Sequence, residues 1–303
     1  MKRTCSVALL LAIWLTCANP AAADPPARHM VVDPTGRTVE VPAEPLRVVA
    51  LAPSITEIVY ALGQQQRLVG VTRFSDYPPA AAQLPKVGSY VQLDVERIAA
   101  LNPDLCIGVK DGNPLAVVEQ LQSLHTPVFA VNPHNLQSVM QSVAAMGEIL
   151  GARPRAQTLI SQMRERIQQV TARTAQAGRK PRVFLQIGVS PIVSVGSNTF
   201  MDELITLAGG TNVAAGPNPY PRFSREQVIA LAPEVIIISS MARATVFEQV
   251  KAEWLRWPAI PAVRDHRVFI APTNLFDRPT PRLVDALELM ACYIHPELFE
   301  VKP

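Results

Sequence analysis

The chain reads as an α/β protein of two Rossmann-like lobes, each built on a central, mostly parallel sheet, joined by a long linking α-helix. Three observations predict this. Short, wholly apolar runs alternate with helix-length segments, as in parallel strands buried on both faces. That alternation stops between about residues 135 and 178 and then restarts. One stretch is also written twice: DVERIAALNPDLCIGV (Asp94–Val109) and SREQVIALAPEVIIIS (Ser224–Ser239) align at a constant offset of 130 residues, with Glu96 answering to Glu226 and Pro103 to Pro233.

The first 23 residues are set apart. Lys2 and Arg3, an apolar run from Val7 to about Leu15, and Ala21-Ala22-Ala23 form the charged start, short apolar centre and small-residue cleavage site of a secretory signal peptide, cleaved after Ala23. The apolar run is too short to remain as a membrane anchor. Cys17 raises a lipoprotein alternative, which Thr16 fits poorly. Cleavage removes Lys2 and Arg3 and no acid from a formal charge of +3, so the mature chain is close to neutral and carries no electrostatic footprint for nucleic acid.

An N-terminal lobe is expected over residues 24–150. MVVDPTGRTVEVP places a Pro-Thr-Gly turn between two β-rich runs and predicts a hairpin, and RVVALA (47–52), LVGVT (68–72), LCIGV (105–109) and PVFAV (127–131) predict the sheet. Asn135 is the expected N-cap of the segment that follows. Leu159, Ile160, Met163, Ile167 and Val170 keep helical spacing and predict a solvent-exposed linking helix over 151–178. The C-terminal lobe, 179–303, restarts the pattern with RVFLQIG (182–188), a helix from about Thr199, VIIIS (235–239), RVFIAP (267–272) and a last helix from about Pro281. With 303 residues, 49% of them hydrophobic, each lobe can bury a core of its own. Cys106 and Cys292, the two cysteines left after cleavage, read as buried thiols acting as small hydrophobes. No Cys/His spacing suggests a metal site, and no Walker loop, Gly-x-Ser-x-Gly elbow or His-Glu-x-x-His motif points to an enzyme.

In both copies of the repeated stretch an N-cap residue, Asp94 or Ser224, opens a short amphipathic helix that stops before proline and leads into a strand. Glu96 and Glu226 fall in the first turn. The helix macrodipole alone favours a carboxylate there by about 0.3–1 kcal/mol. Two related lobes also place the two acids at matching positions, where they could grip a pseudo-symmetric partner. The residues alone leave both readings open.

SDYPP (Ser75–Pro79), ERIAALNPDL (Glu96–Leu105), RVFLQIG, FSREQV and DRPTPR (Asp277–Arg282), in this order and spacing, resemble the periplasmic cobalamin-binding proteins of bacterial ABC importers. The opening GRTVEVPAEPLRVVALAPSITEIVYALG is similar, more broadly, to the helical-backbone class of binding proteins for cobalamin, haem and iron siderophores. The resemblance spans essentially the whole mature chain. It implies a non-enzymatic periplasmic protein, monomeric when free, that takes up cobalamin or a related corrinoid as cargo, with no cofactor of its own. The partner implied is a dimeric permease with its ATPase subunits, docked through Glu96 and Glu226.

Ligands of such proteins lie where the carboxyl ends of the strands converge. The expected walls are the loops after RVVALA, LVGVT, RVFLQIG and RVFIAP, the VGSYVQL region and the segment before FSREQV. The resemblance assigns the pocket to Pro53, Phe74, Tyr90, Val193, Tyr220, Asn274 and Arg278. Val193 stands where the family's best-known member has an aromatic, Tyr220 where it has a tryptophan and Asn274 where it has an acid; a disulfide that member forms from the position of Ala208 has no counterpart here. Arg278 is expected to meet ligand amides or a phosphate. His134 could ligate cobalt or haem iron, whereas His125 reads as a turn residue. Haem and ferric-siderophore readings remain as alternatives, the latter resting on Arg278, Arg73 and Arg222.

Overall fold

The computed structural model describes residues 27–239 and 244–299; the leader sequence with Cys17 lies outside these residues. The first element is the expected hairpin, β1 (Arg28–Val32) and β2 (Thr38–Pro42), paired antiparallel. Its turn is organised by Asp33. One carboxylate oxygen accepts from the backbone N–H of Thr35 and Arg37 and from the Thr35 hydroxyl, while the other accepts from the Arg37 guanidinium and from the Ala130 N–H at 3.2 Å. Burial opposes this charge, but the hydrogen bonds from Thr35, Arg37 and Ala130 outweigh it and hold the carboxyl below its ordinary range. Asp33 thereby pins the hairpin to the sheet edge.

The N-terminal lobe continues as β3 (Val48–Ala50), α1 (Pro53–Ala61), β4 (Leu68–Val71), α2 (Val95–Ala100), β5 (Leu105–Val109), α3 (Leu115–Ser123), β6 (Val128–Val131) and α4 (Leu136–Ile149). Its sheet is parallel throughout, in the order β4-β3-β5-β6. After α5 (Arg153–Thr174), the C-terminal lobe runs β7 (Arg182–Gly188), β8 (Ile192–Ser194), α6 (Phe200–Leu207), β9 (Thr211–Asn212), β10 (Arg222–Phe223), α7 (Arg225–Ala230), β11 (Val235–Ile238), α8 (Ala244–Trp254), α9 (Pro261–Arg264), β12 (Val268–Ile270), α10 (Thr273–Phe276) and α11 (Leu283–Ile294). Here β7, β11 and β12 are parallel, β9 adds in parallel beside β7, and β8 and β10 extend the sheet antiparallel.

Successive strand residues point to opposite faces, and the two faces of each sheet have different fates. Val49, Leu51 and Cys106 of the first sheet pack into a core of that lobe alone, as Phe184, Ile236 and Ile238 do in the second. Val48, Ala50, Leu105 and Ile107, together with Val183, Leu185, Val235 and Ile237, enter one large core common to both lobes. The expectation of a separate core per lobe is therefore half of the picture.

The linking helix explains why. α5 is 22 residues long, about 33 Å at 1.5 Å per residue. It was expected in solvent, yet Ala156, Ile160, Met163 and Val170 form a buried stripe packed on α4 and α11. Its opposite face, including Arg164 and Glu165, is exposed. The low average hydropathy of the segment conceals this stripe, because one apolar face in a polar helix suffices for docking. At the edge of the packed face, half-buried Arg166 donates to Asp285 (2.6 Å) and Glu288 (2.7 Å) of α11.

The repeated stretch forms the same local structure twice. Asp94 caps α2 by accepting from the Arg97 N–H, and Ser224 caps α7 by accepting from the Gln227 N–H. Each helix ends in a left-handed residue before proline, Asn102 at φ 46° and Ala232 at φ 45°. Asp104 then accepts from the backbone N–H of Leu46 and Arg47, and Glu234 from that of Arg182, at the start of each lobe's first central strand. Arg47 and Arg182 reach back to the carbonyls of Leu101 and Leu231. The repeat is thus a clasp between a helix end and a strand start. Glu96 and Glu226 lie outside it, on the exposed first turns.

Cys106 is fully buried, and burial pushes its thiol up to about 12. Cys292 is half-buried rather than buried, and the two thiols are unpaired. No helix of the described residues is long and apolar enough to cross a membrane, and among them no His/Cys/Asp/Glu cluster could hold a metal.

Candidate functional site

A cleft of about 690 Å³ opens between the lobes at the carboxyl ends of the strands. On the N-terminal side its wall is made by Ala52, Pro53 and Ser54 after β3, Tyr90, the segment around Val109, Asp111 and Gly112 after β5, and Asn132, Pro133 and His134 after β6. Asn113 holds three of these segments in register. Its side-chain amide donates to the carbonyls of Leu51 (2.9 Å) and Tyr90 (2.8 Å), and its oxygen accepts from the Val109 N–H (2.8 Å). Asn135 caps α4 as expected, accepting from the Ser138 N–H, while the Ser138 hydroxyl oxygen accepts from the N–H groups of His134 and Asn135. That capping box fixes the loop bearing His134.

The opposite wall comes from Ile187, from Asn198 to Met201 at the start of α6, from Pro219 and Tyr220, and from Asp277 to Pro279. The Tyr220 loop crosses so close to the segment after β8 that Gly196 has no room for a Cβ against the Asn218 carbonyl; the Gly196 N–H donates to the Pro219 carbonyl at 2.9 Å. Most lining side chains are apolar or aromatic, with a few polar groups set among them, the usual make-up of a ligand cleft. Tyr90 and Tyr220 face one another electrostatically across it: burial, then Asp111, then Tyr90 push the Tyr220 phenol above its ordinary value.

Of the seven pocket residues expected, Pro53, Tyr90, Tyr220 and Arg278 line the cleft, whereas Phe74, Val193 and Asn274 do not. Phe74 sits on a loop drawn toward the other lobe, with its carbonyl bound to Arg278 and the Arg73 guanidinium over its ring at 4.8 Å. Val193 is held inside the antiparallel ladder between Gly188 and Arg222. Asn274 lies one turn ahead of Asp277 in α10 and is half-buried outside the lining. The wall after β5 and the start of α6 were not foreseen, although the rule of strand carboxyl ends points to the first; the wall after β6 was expected only through His134.

Arg278 differs most from expectation. Its Nη1 donates to Glu57 (2.9 Å) and pairs with Asp76 (2.8 Å), and its Nη2 donates to the Phe74 carbonyl (3.0 Å). Glu57 belongs to α1 of the other lobe, with a side chain 2% exposed, and its second oxygen accepts from Arg282 at 3.3 Å. Arg282 in turn covers the Tyr77 ring at 3.6 Å. Burial raises the Glu57 carboxyl above its usual range although both arginines oppose it. The guanidinium expected to meet the ligand is therefore part of an ionic latch between lobes. A second inter-lobe bond joins the Leu136 N–H at the start of α4 to Glu203 of α6 at 2.6 Å.

Asp277, which sequence reasoning did not single out, lies in the cleft wall beside this latch. One oxygen accepts from the Ser239 hydroxyl at 2.7 Å, and burial pushes its carboxyl up to about 6 against the pull of Ser239 and Arg278. His134, exposed on the opposite wall, lies with Nδ1 3.0 Å from the Asn132 carbonyl, so Nδ1 carries the proton and Nε2 is left as the basic nitrogen.

Two α/β lobes around a shared core, with a largely apolar cleft at the strand ends, have the build of a ligand-capture protein. Comparison with known proteins agrees. Residues 48–275 match the family model described as periplasmic binding protein, and the chain belongs to that family. It is 33% identical over 256 residues to the vitamin B12-binding protein of Vibrio cholerae, covering 84% of this chain and 90% of the relative. Among solved structures it is similar to the periplasmic vitamin B12 binding protein of V. cholerae (TM-score 0.74, 30% identity, 83% of this chain and 97% of that one). It is also similar to a periplasmic heme binding protein of Pseudomonas aeruginosa (TM-score 0.78, 29% identity, 85% and 95%).

Proposed function

We propose that this protein captures cobalamin, or a closely related corrinoid, in the inter-lobe cleft and delivers it to an ABC importer. The observation that carries the choice of ligand is the charge of the cleft. Among the described residues, Arg278 is the one lysine or arginine in the lining, and Glu57 and Asp76 already occupy it. Asp111 and Asp277 remain. A wall of aromatic and proline surface with residual negative charge suits a large amide-bearing ring and disfavours the carboxylates of haem or of an acidic siderophore. Similarity to relatives named for vitamin B12 supports the same ligand.

Delivery rests on Glu96 and Glu226. Helices feeding parallel strands begin at the edge where those strands end, so the first turns of α2 and α7 lie on the cleft side of their lobes. Both acids are exposed, and neither forms an ion pair with a described residue. This suits docking, as a monomer, onto a twofold permease with its ATPase subunits. We assign residues 1–23 to export into the periplasm and infer binding without turnover.

A second reading, haem capture, is favoured by one observation: the hydrogen bond at His134 Nδ1 presents Nε2 as a basic nitrogen at the cleft wall, the arrangement of an axial ligand. Calorimetric titration with cyanocobalamin, haemin and a ferric siderophore distinguishes the readings. Saturable one-to-one binding of cyanocobalamin is expected; silence toward it with tight haemin binding would replace the first reading by the second.

A further inference from the structure

The two acids that bond from one lobe to the other occupy equivalent places. In each lobe a first central strand, β3 or β7, lies between a parallel neighbour, β4 or β9, and the strand of the doubled stretch, β5 or β11. In this correspondence α1 matches α6, the first crossover helix, and α4 matches α11, the last. Glu57 of α1 reaches Arg282, the N-cap residue of α11, and Arg278 just before it. Glu203 of α6 reaches Leu136, the first residue of α4. Each lobe thus offers an acid from its first helix to the start of the other lobe's last helix. The two clasps are unequal. Glu57 is 2% exposed and spends both oxygens on arginines; Arg278 also holds Asp76 and the Phe74 carbonyl, and Arg282 lies over the Tyr77 ring, so that side is tied across the gap at several points. Glu203 is half-buried and makes one bond, Oε2 accepting from the Leu136 N–H at 2.6 Å. That N–H has no acceptor inside its own helix. The capping box takes up the N–H groups of His134, Asn135 and Ser138 and leaves this one to Glu203. Water replaces a half-exposed carboxylate at a backbone N–H at small cost, whereas parting the other clasp separates a buried carboxylate from two guanidinium groups.

We propose that the cleft opens on one side only: the lobes pivot on the Glu57 latch, and Glu203 is the positioning residue that holds the other side shut through the start of α4. Parting the Glu203 bond moves the start of α4 away from the start of α6. The His134 loop, fixed to α4 through Ser138, moves with it, and it faces residues 198–201 across the cleft. Cargo therefore enters and leaves between these two parts of the wall. The movement is small, because Leu136 and Leu204, beside the clasp, belong to the core common to both lobes, and hinging about a retained contact is how packed lobes open without unpacking. The gate is a property of the lobes and holds whichever large ring the cleft takes.

Backbone amide exchange in the ligand-free protein tests the clasp directly, since the first N–H of a helix exchanges freely unless a group outside the helix accepts from it. In wild type the Leu136 amide should exchange at least about tenfold more slowly than an unbonded amide, and Glu203→Ala should abolish that protection. Stopped-flow measurement with cyanocobalamin then reads the gate. Release should be about tenfold faster in Glu203→Ala and within about threefold of wild type in Glu203→Gln, whose side-chain carbonyl still accepts the bond. Arg282→Met thins the pivot while leaving Arg278 on Glu57, and should change release by less than about twofold because that side does not part. An unprotected Leu136 amide, unchanged release in Glu203→Ala, no rescue in Glu203→Gln, or equal acceleration by Arg282→Met would overturn the proposal. If cyanocobalamin does not bind, the corrinoid reading fails and the gate does not: amide exchange still decides the clasp, with haemin as the probe for release. If Glu203→Ala does not fold, Glu203→Met removes the acceptor and keeps the volume, and the same outcomes are required of it.

Discussion

Replacing Arg278 should cost far more than replacing the acid it binds. Arg278→Met leaves Glu57, 2% exposed, with Arg282 at 3.3 Å as its remaining cation. Removing one partner of a buried pair costs about 3–5 kcal/mol, because the other charge stays buried without compensation; the Arg282 contact argues for the lower end, about 3 kcal/mol. Loss of Asp76, an exposed partner, adds little. Glu57→Gln is different. Arg278 then keeps Asp76 and the Phe74 carbonyl, and Arg282 keeps the face of Tyr77. Burial has also raised the Glu57 carboxyl. A raised carboxyl contributes stability below its unfolded value and loses it as pH rises through the folded one, so its charge is a net burden at neutral pH. Glu57→Gln should therefore cost under about 1 kcal/mol at pH 7, and the double variant less than the sum. Urea unfolding gives the free energies, and at about 2–4 °C per kcal/mol the Arg278→Met melt should fall by about 6–12 °C. Equal costs for the two single variants, or an Arg278→Met cost below about 1 kcal/mol, would refute the latch as described.

Asp277, raised from 3.8 to about 6, carries the same sign: its contribution is complete below about pH 4 and lost as pH rises through 6. Asp277→Asn should thus melt much like wild type at pH 4 and gain about 3 kcal/mol at pH 7.5 in ligand-free protein. Ala232, at φ 45° where its twin is Asn102, should stabilise by about 0.5–1 kcal/mol when replaced by glycine, read as a higher urea midpoint. Glu96→Arg combined with Glu226→Arg should leave cyanocobalamin affinity intact in calorimetry while uptake in cells collapses; undiminished uptake would remove the docking role.

The strands, the hairpin and the caps at Asp94, Ser224 and Asn135 were legible because each depends on neighbours in sequence: alternation of faces, turn residues, and side chains reaching three positions along. The doubled stretch was legible as a repeat, but its clasp was not, since Asp104 and Arg47 meet across a strand pair separated by 57 residues. The acid partners of Arg278 were not legible for the same reason on a larger scale. Its partner Glu57 lies 221 positions away, and a sequence does not announce that an acid in an apolar helix will be buried opposite it. The linking helix was placed, yet its buried stripe was hidden by the polar average of the segment. Asp277 escaped notice because only the packing of the chain after α10 against the end of β11 gives it a buried anchor in Ser239, 38 positions away.

The account stands or falls on what occupies the cleft. Crystals grown with cyanocobalamin and measured at the cobalt absorption edge should show a single cobalt peak between the wall of Pro53 and Tyr90 and that of Tyr220 and Asp277. A cobalt site elsewhere on the molecule, or an empty cleft at saturating ligand, would contradict it.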